Sequence, residues 1–162
     1  MTQRGDNVEA SKNEEQLIAL MTAYFNEQIP FNKVLGVKVE SMGRDSVSAS
    51  FEMRVELLGH YVRKMLHGGV ISSVIDITGG LSAVMSIKRN TADESPKARR
   101  EMADQVSTLD LRVDFLRPAT GKRFVAKAYP LRTGKRIAVI RTELRNDQDE
   151  VVAVGTSTYI HA

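Results

Sequence analysis

Hydrophobic and polar positions divide the chain into clear segments. Between Asn13 and Gln28, Leu17, Leu20, Met21, Tyr24 and Phe25 recur at three- and four-residue intervals, the spacing of one helix face, with Asn13 placed to cap it. Pro30 ends that helix. The polar residues 1–12 ahead of it are expected to be flexible, which leaves 13–162 as a single domain. Val34 to Met42 reads as a first strand. In Arg44 to Arg54, Val47, Ala49, Phe51 and Met53 alternate with Ser48, Ser50, Glu52 and Arg54, the pattern of a half-buried strand. Val55 to Leu66 reads as a loop.

From Val70 to Ile87 the period changes. At 100° per residue, Val70, Ile71, Val74, Ile75, Ile77, Leu81, Val84 and Met85 form a broad apolar arc, so this segment is predicted to be a long buried helix. Lys88 to Asp104 is polar and reads as an exposed excursion. Strands then follow one another. Leu109, Leu111, Val113 and Phe115 alternate with Asp110, Arg112 and Asp114. Arg123–Arg132, Arg136–Arg145 and Val151–His161 are separated by turns at Thr133-Gly134 and Asn146–Asp149, and short loops make these last three antiparallel neighbours. The order is helix, two strands, long helix, four strands. It predicts an α+β fold in which an antiparallel sheet wraps around one long central helix, with an additional N-terminal helix.

Composition narrows the chemistry. A length of 162 residues suits one domain with a real core. There is no cysteine, which excludes a disulfide framework, a thiolate zinc site and a cysteine nucleophile. His60, His67 and His161 have no metal-ligand spacing, so no metal is expected. The first residues lack the apolar core of a signal peptide, and the weakly polar run from Gly68 to Ile87 holds Asp76, four glycines and four serines. A cytoplasmic protein free of membrane is the expectation. The net charge is +3, but the bases are scattered among acids, and only Arg132 to Arg136 makes a compact basic turn. That suits a small polyanion at least as well as RNA or DNA, and aromatic and basic residues do not interleave on one strand face. Nucleic acid is therefore not an expected partner.

Asp76 is the single charged residue between Gly68 and Ile87. Its arc also carries Ser72, Gly79, Gly80 and Ala83, small residues that predict a second chain or a ligand lying close against this face. Before the helix stands His67-Gly68-Gly69. Glycines permit a sharp entry and leave the first amides open, and free amides at a helix N-terminus suit an oxyanion. A capping turn explains the triplet equally well. Gly69 and Asp76 lie seven residues apart, roughly 10 Å along a helix axis at 1.5 Å per residue. A single carbonyl cannot touch both. If both act on one substrate, they come from two subunits with antiparallel central helices, and a homodimer or a dimer of dimers is expected.

The segment Leu66-His67-Gly68-Gly69-Val70-Ile71-Ser72-Ser73-Val74-Ile75-Asp76 resembles the PaaI-like branch of the hotdog thioesterases. So do Leu109 to Ala119 and the turn Thr133-Gly134-Lys135-Arg136. Glu56-Leu57-Leu58-Gly59 is similar to the YigI-like subgroup, which acts on medium or long acyl chains. The resemblance spans Val34 to Tyr159. It implies a hotdog fold and hydrolysis of acyl-CoA thioesters at sites on the subunit interface, with CoA as part of the substrate and no cofactor. In that reading Asp76 is the general base or the nucleophile, and the amides of Gly68 and Gly69 hold the developing oxyanion. His67 orients the turn or bonds near the carbonyl. Many relatives have Asn after the glycine equivalent to Gly59; His60 stands there in this chain, either as a replacement donor or leaving the amides to act alone. Arg132, Lys135 and Arg136 would meet the phosphates of CoA. The alternative on the same fold is a non-catalytic acyl-CoA binding or sensing module, which gives no reason for Asp76. A dehydratase-type hotdog enzyme lacks this Gly-Gly helix start.

Overall fold

The computed structural model describes residues 3–87 and 96–161 of the protein. Helix α1 (Gln3–Glu27) starts ten residues before Asn13, so Asn13 lies inside it and residues 3–12 belong to the helix. Strong helix formers such as Glu9, Ala10 and Lys12 carry the helix backward. Pro30 ends nothing by itself. It opens a second, short helix α2 (Pro30–Leu35), because a proline's fixed φ and missing N–H suit the first helical turn. Gly36, at φ 73°, then closes α2 in the left-handed conformation, and the first strand β1 runs Lys38–Met42 instead of starting at Val34.

β2 (Val47–Glu52) follows as expected. The predicted loop after it is partly ordered: a 3₁₀ turn (Val55–Leu57) leads into a small hairpin of β3 (Leu58–His60) and β4 (Met65–Leu66). The central helix α3 covers Gly68–Ser86. Of the polar excursion, 88–95 lie outside the described residues, and Pro96–Gln105 forms helix α4, again opened by a proline. Tyr24 Oη donates to Asp104 Oδ1 at 2.7 Å and ties α4 to α1.

The remaining strands are β5 (Val106–Phe115), β6 (Arg123–Thr133), β7 (Ile137–Asn146) and β8 (Val151–His161). The main sheet has the order β1-β2-β6-β7-β8-β5 and every pairing in it is antiparallel. Its concave face wraps α3, which is the hotdog arrangement. Alternation explains the packing: Ala138, Ile140, Thr142 and Leu144 of β7 are buried toward the helix while Val139, Arg141 and Glu143 stand on the other side. Although α3 is long and apolar enough to cross a membrane, most of its apolar arc, including Ile71, Val74, Ile75, Leu81 and Val84, is enclosed by this sheet and by α1.

Helix and sheet come close at Gly155 of β8, where a Cβ would overlap Ile75 Cγ2. Overpacked cores lose about 1–3 kcal/mol. Gly155→Ala should cost that much in urea unfolding, and Gly155→Ala combined with Ile75→Ala should cost less than the two changes added together. Strict additivity would show that the two residues do not press on each other.

Candidate active site

The start of α3 is built by the small hairpin. A Cβ at Gly59 would lie 2.6 Å from His67 Cα, so only glycine lets β3 cross directly against the helix entry. Leu66 N–H donates to Ala119 O at 3.0 Å and His67 N–H to Leu57 O at 2.9 Å, fixing the approach. His67 is the N-cap. Its Nδ1 accepts from Gly69 N–H at 2.9 Å, and its carbonyl accepts from Val70 N–H at 3.0 Å and Ile71 N–H at 3.3 Å. This corrects the expectation of two open amides: Gly69 is engaged by the imidazole. Among the described residues only Gly68, of this turn, keeps an unpartnered N–H. Gly68 sits on the ring of Phe115, 3.5 Å from a notional Cβ, and borders a 390 Å³ groove formed with Met65, Ile71, Leu116 and Pro118. His60 stands exposed at the end of β3, where its Nδ1 accepts from Arg63 N–H at 3.3 Å; the ring closes the hairpin turn and leaves Nε2 to donate outward.

Eight residues after Gly68, about 12 Å along the axis, Asp76 is half-buried. Its Oδ1 accepts from Thr108 Oγ1 at 2.9 Å and from Tyr159 Oη at 3.2 Å; the same tyrosine donates to the Asp76 carbonyl at 2.8 Å. Oδ2 has no partner among the described residues. The carboxylate is thus held through one oxygen and open at the other. Tyr159 is 1% exposed, and burial, reinforced by the neighbouring Asp76 charge, pushes its hydroxyl far above the usual tyrosine range. It remains a neutral donor wherever the protein works.

Neither partner was visible in the sequence pattern. Thr108 belongs to the outward set of β5 by simple alternation, but the β5–β8 register shifts between Thr108 and Asp110. The bulge at Leu109, 56% exposed, turns Thr108 to the same side as Asp76. The small residues near Asp76 also have another cause than the one expected. A Cβ at Gly79 would overlap the Tyr159 hydroxyl, and Ala83 is buried with Ala128, Ala138, Ile140 and Tyr159. Gly79 and Ala83 of that arc thus receive the chain's own sheet, while Gly80 lines the cavity beside Asp76.

Beside Asp76 opens a cavity of about 220 Å³. Asp76, Thr108 and Tyr159 supply its polar part. Phe25, Ile29 and Phe31 from the α1–α2 corner, Leu81 and Val84 from α3 and Ala103 from α4 supply the apolar walls. Arg132, Lys135 and Arg136 are elsewhere, exposed on the β6–β7 turn. Thr133 Oγ1 donates to Ser86 Oγ at 3.1 Å, so this turn sits at the C-terminal end of α3. The predicted residues therefore fall into three places along one helix: His60, His67, Gly68 and Gly69 at its start, Asp76 in its middle, the basic turn at its end. No cluster of His, Asp or Glu among the described residues could hold a metal ion.

The unpartnered amide that opens the helix can hold an oxyanion, and the half-open carboxylate two turns on can take a proton from water. The chain belongs to the thioesterase superfamily, whose family model matches residues 64–153, from the hairpin ahead of α3 into β8. It is 36% identical to the medium/long-chain acyl-CoA thioesterase YigI of Escherichia coli K12 over 146 residues, 90% of this chain and 94% of the relative. Two crystal structures are also similar. One, from Syntrophus aciditrophicus SB and provisionally designated a thioesterase, is 48% identical with a TM-score of 0.83 and covers 93% of this chain and 99% of its own. The other, a Shewanella oneidensis protein related to the thioesterase superfamily, is 32% identical with a TM-score of 0.84, covering 91% and 97%.

Removing the Tyr159 hydroxyl tests how Asp76 is held. Hydrogen bonds to charged groups contribute about 1.5–3 kcal/mol, so Tyr159→Phe should lower kcat for thioester hydrolysis about 10–100-fold with little change in KM. A rise in KM at constant kcat would assign the tyrosine to substrate binding instead.

Proposed function

We propose that this protein hydrolyses medium- or long-chain acyl-CoA thioesters to free acid and CoA, with each active site shared between two copies of the chain. The observation that carries the chemistry is Asp76, fixed through Oδ1 by Thr108 and Tyr159 and open at Oδ2, next to an apolar cavity. The similarity to the E. coli medium/long-chain acyl-CoA thioesterase supports the substrate class.

In the proposed reaction Asp76 acts as general base. Oδ2 takes a proton from water as the water oxygen bonds to the thioester carbon. The carbonyl π electrons move onto oxygen, where the Gly68 N–H donates to the oxyanion. The carbonyl then re-forms, the C–S bond breaks, and the departing CoA thiolate takes up the proton. His67 keeps the turn in shape through Gly69, and His60 Nε2–H is a second donor near that end of the helix.

Gly68 and Asp76 of one chain are too far apart for one carbonyl, and the edge strand offers the solution. Among the described residues β5 is unpaired on its outer side, and it carries Leu109 and Phe115, each 56% exposed, an edge that invites pairing. One end of β5 is joined to Gly68 through Phe115, the other to Asp76 through Thr108. Antiparallel pairing of β5 with a second β5 opposes these ends, so Gly68 of one copy faces the carboxylate of the other. A homodimer is the proposed unit, and dimers of dimers are compatible with it. The cytoplasm is the proposed location.

General base catalysis contributes about 10²–10⁴-fold, and Asp76→Asn should lower kcat by that factor with the fold retained. In the groove beside Phe115, Gly68→Val should block the other half of the site. Mixing these two inactive variants by refolding should restore activity, because in a hybrid dimer one site is intact while the other carries both lesions. Hydrolysis by Asp76→Asn at the wild-type rate would leave the acyl-CoA binding reading; silence on mixing would place each site within one chain.

The basic turn is proposed to meet the phosphates of CoA. Arg132→Ala with Lys135→Ala should raise KM for acyl-CoA with kcat unchanged, and should leave the KM of a pantetheine thioester, which lacks the nucleotide, where it was. Equal losses on both substrates would make the turn a purely structural element.

A further inference from the structure

The two glycines in the middle of α3 are alike in sequence and unlike in environment. Glycine is the least favourable residue after proline in a helix interior, so each calls for a reason. Gly79 has one in packing: a Cβ there would overlap the Tyr159 hydroxyl. Gly80 has none of that kind. A Cβ on Gly80 would meet Tyr159 Cε1 at 3.4 Å and Cδ1 at 4.0 Å, ordinary van der Waals contact. What Gly80 does is line the 220 Å³ cavity, one helical turn beyond Asp76.

Residues 76, 77, 80, 81 and 84 follow the i, i+4 and i, i+3 spacing of one helix face, and all five line the cavity. Asp76 stands at the polar part; Leu81 and Val84 lie further along, facing Phe25 of α1. Any side chain at position 80 would project between the carboxylate and this apolar part. The structure assigns Gly80 as the specificity-determining residue of the site. Its missing side chain keeps open the passage through which an acyl chain, its carbonyl near Asp76, runs between α3 and the α1–α2–α4 cover. This rests on the acyl-thioester reading above and adds the position that sets which chain lengths are accepted. Ala103 of α4 lines the same cavity from a different element, so a larger residue there should act in the same way without touching α3.

The test is the ratio of kcat/KM for decanoyl-CoA to that for butanoyl-CoA. For Gly80→Val and, independently, Ala103→Leu, this ratio should fall at least tenfold below wild type. For Gly80→Ala it should fall less, and because alanine relieves the helix, the melting temperature should rise by about 2–4 °C. An unchanged ratio in both Gly80→Val and Ala103→Leu would overturn the assignment, as would a loss of the same factor on both substrates in folded protein. Wild type inactive on every acyl-CoA would instead overturn the functional reading itself.

Discussion

The contact between Tyr159 and α3 is the constraint on which the site depends. One phenol, buried between sheet and helix, donates to both the main-chain carbonyl and the carboxylate of Asp76. A buried hydroxyl without partners is costly, and a buried carboxylate more so; each group here satisfies the other. The contact sets the helix-to-sheet distance, which requires Gly79 and leaves no room for larger residues beneath the ring. It also sets the rotation of α3. With Asp76 turned toward the β5 side, the apolar arc faces the sheet on one side and α1 on the other, and the cavity falls between α3 and the helical cover.

Once α3 is fixed, its two ends take different tasks. The start carries the amide of Gly68, exposed because the hairpin and the His67 cap use up its neighbours. The end meets the β6–β7 turn, where three cations stand near the carbonyl terminus of the helix. Positive charge is favoured at a helix C-terminus, so the same turn complements the helix dipole and, in the proposed reaction, would meet the phosphates of CoA. Gly68, Asp76 and the basic turn thus occupy three stations along one rigid element, which is why the proposed site draws on two chains.

Much of this was legible in the sequence, for reasons that can be named. The long apolar arc of α3 and the alternation of β2 are local patterns, and each maps to the element it predicted. The central helix begins at Gly68, where the glycine pair permits it. What stayed hidden was non-local. Pro30 carries the same residue whether it stops one helix or starts the next, and only the docking of α2 decides; Asn32, buried and donating to Phe25 O, records that docking. Tyr159 is 83 residues from Asp76, and no periodicity links them. Thr108 was on the wrong face until one unpaired residue changed the register. The small residues at 79 and 83 were noticed, but the sheet residues packed on them were not foreseen, because sequence tells that something approaches closely and not what.

The two edges of the sheet differ in a way that bears on how copies of the chain can associate. β1, at one edge, is short, has a register shift between Val39 and Ser41, and shows Lys38 and Glu40 to solvent. An edge this short, with no large apolar side chain exposed, gives little for strand addition. β5, at the other edge, is ten residues long and shows Leu109 and Phe115 to solvent beside Asp110 and Arg112. A protein with two receptive edges could add copies without end and grow into a fibre. In the proposed dimer, antiparallel pairing through β5 consumes the more receptive edge of each partner, so growth along the sheet would stop at two.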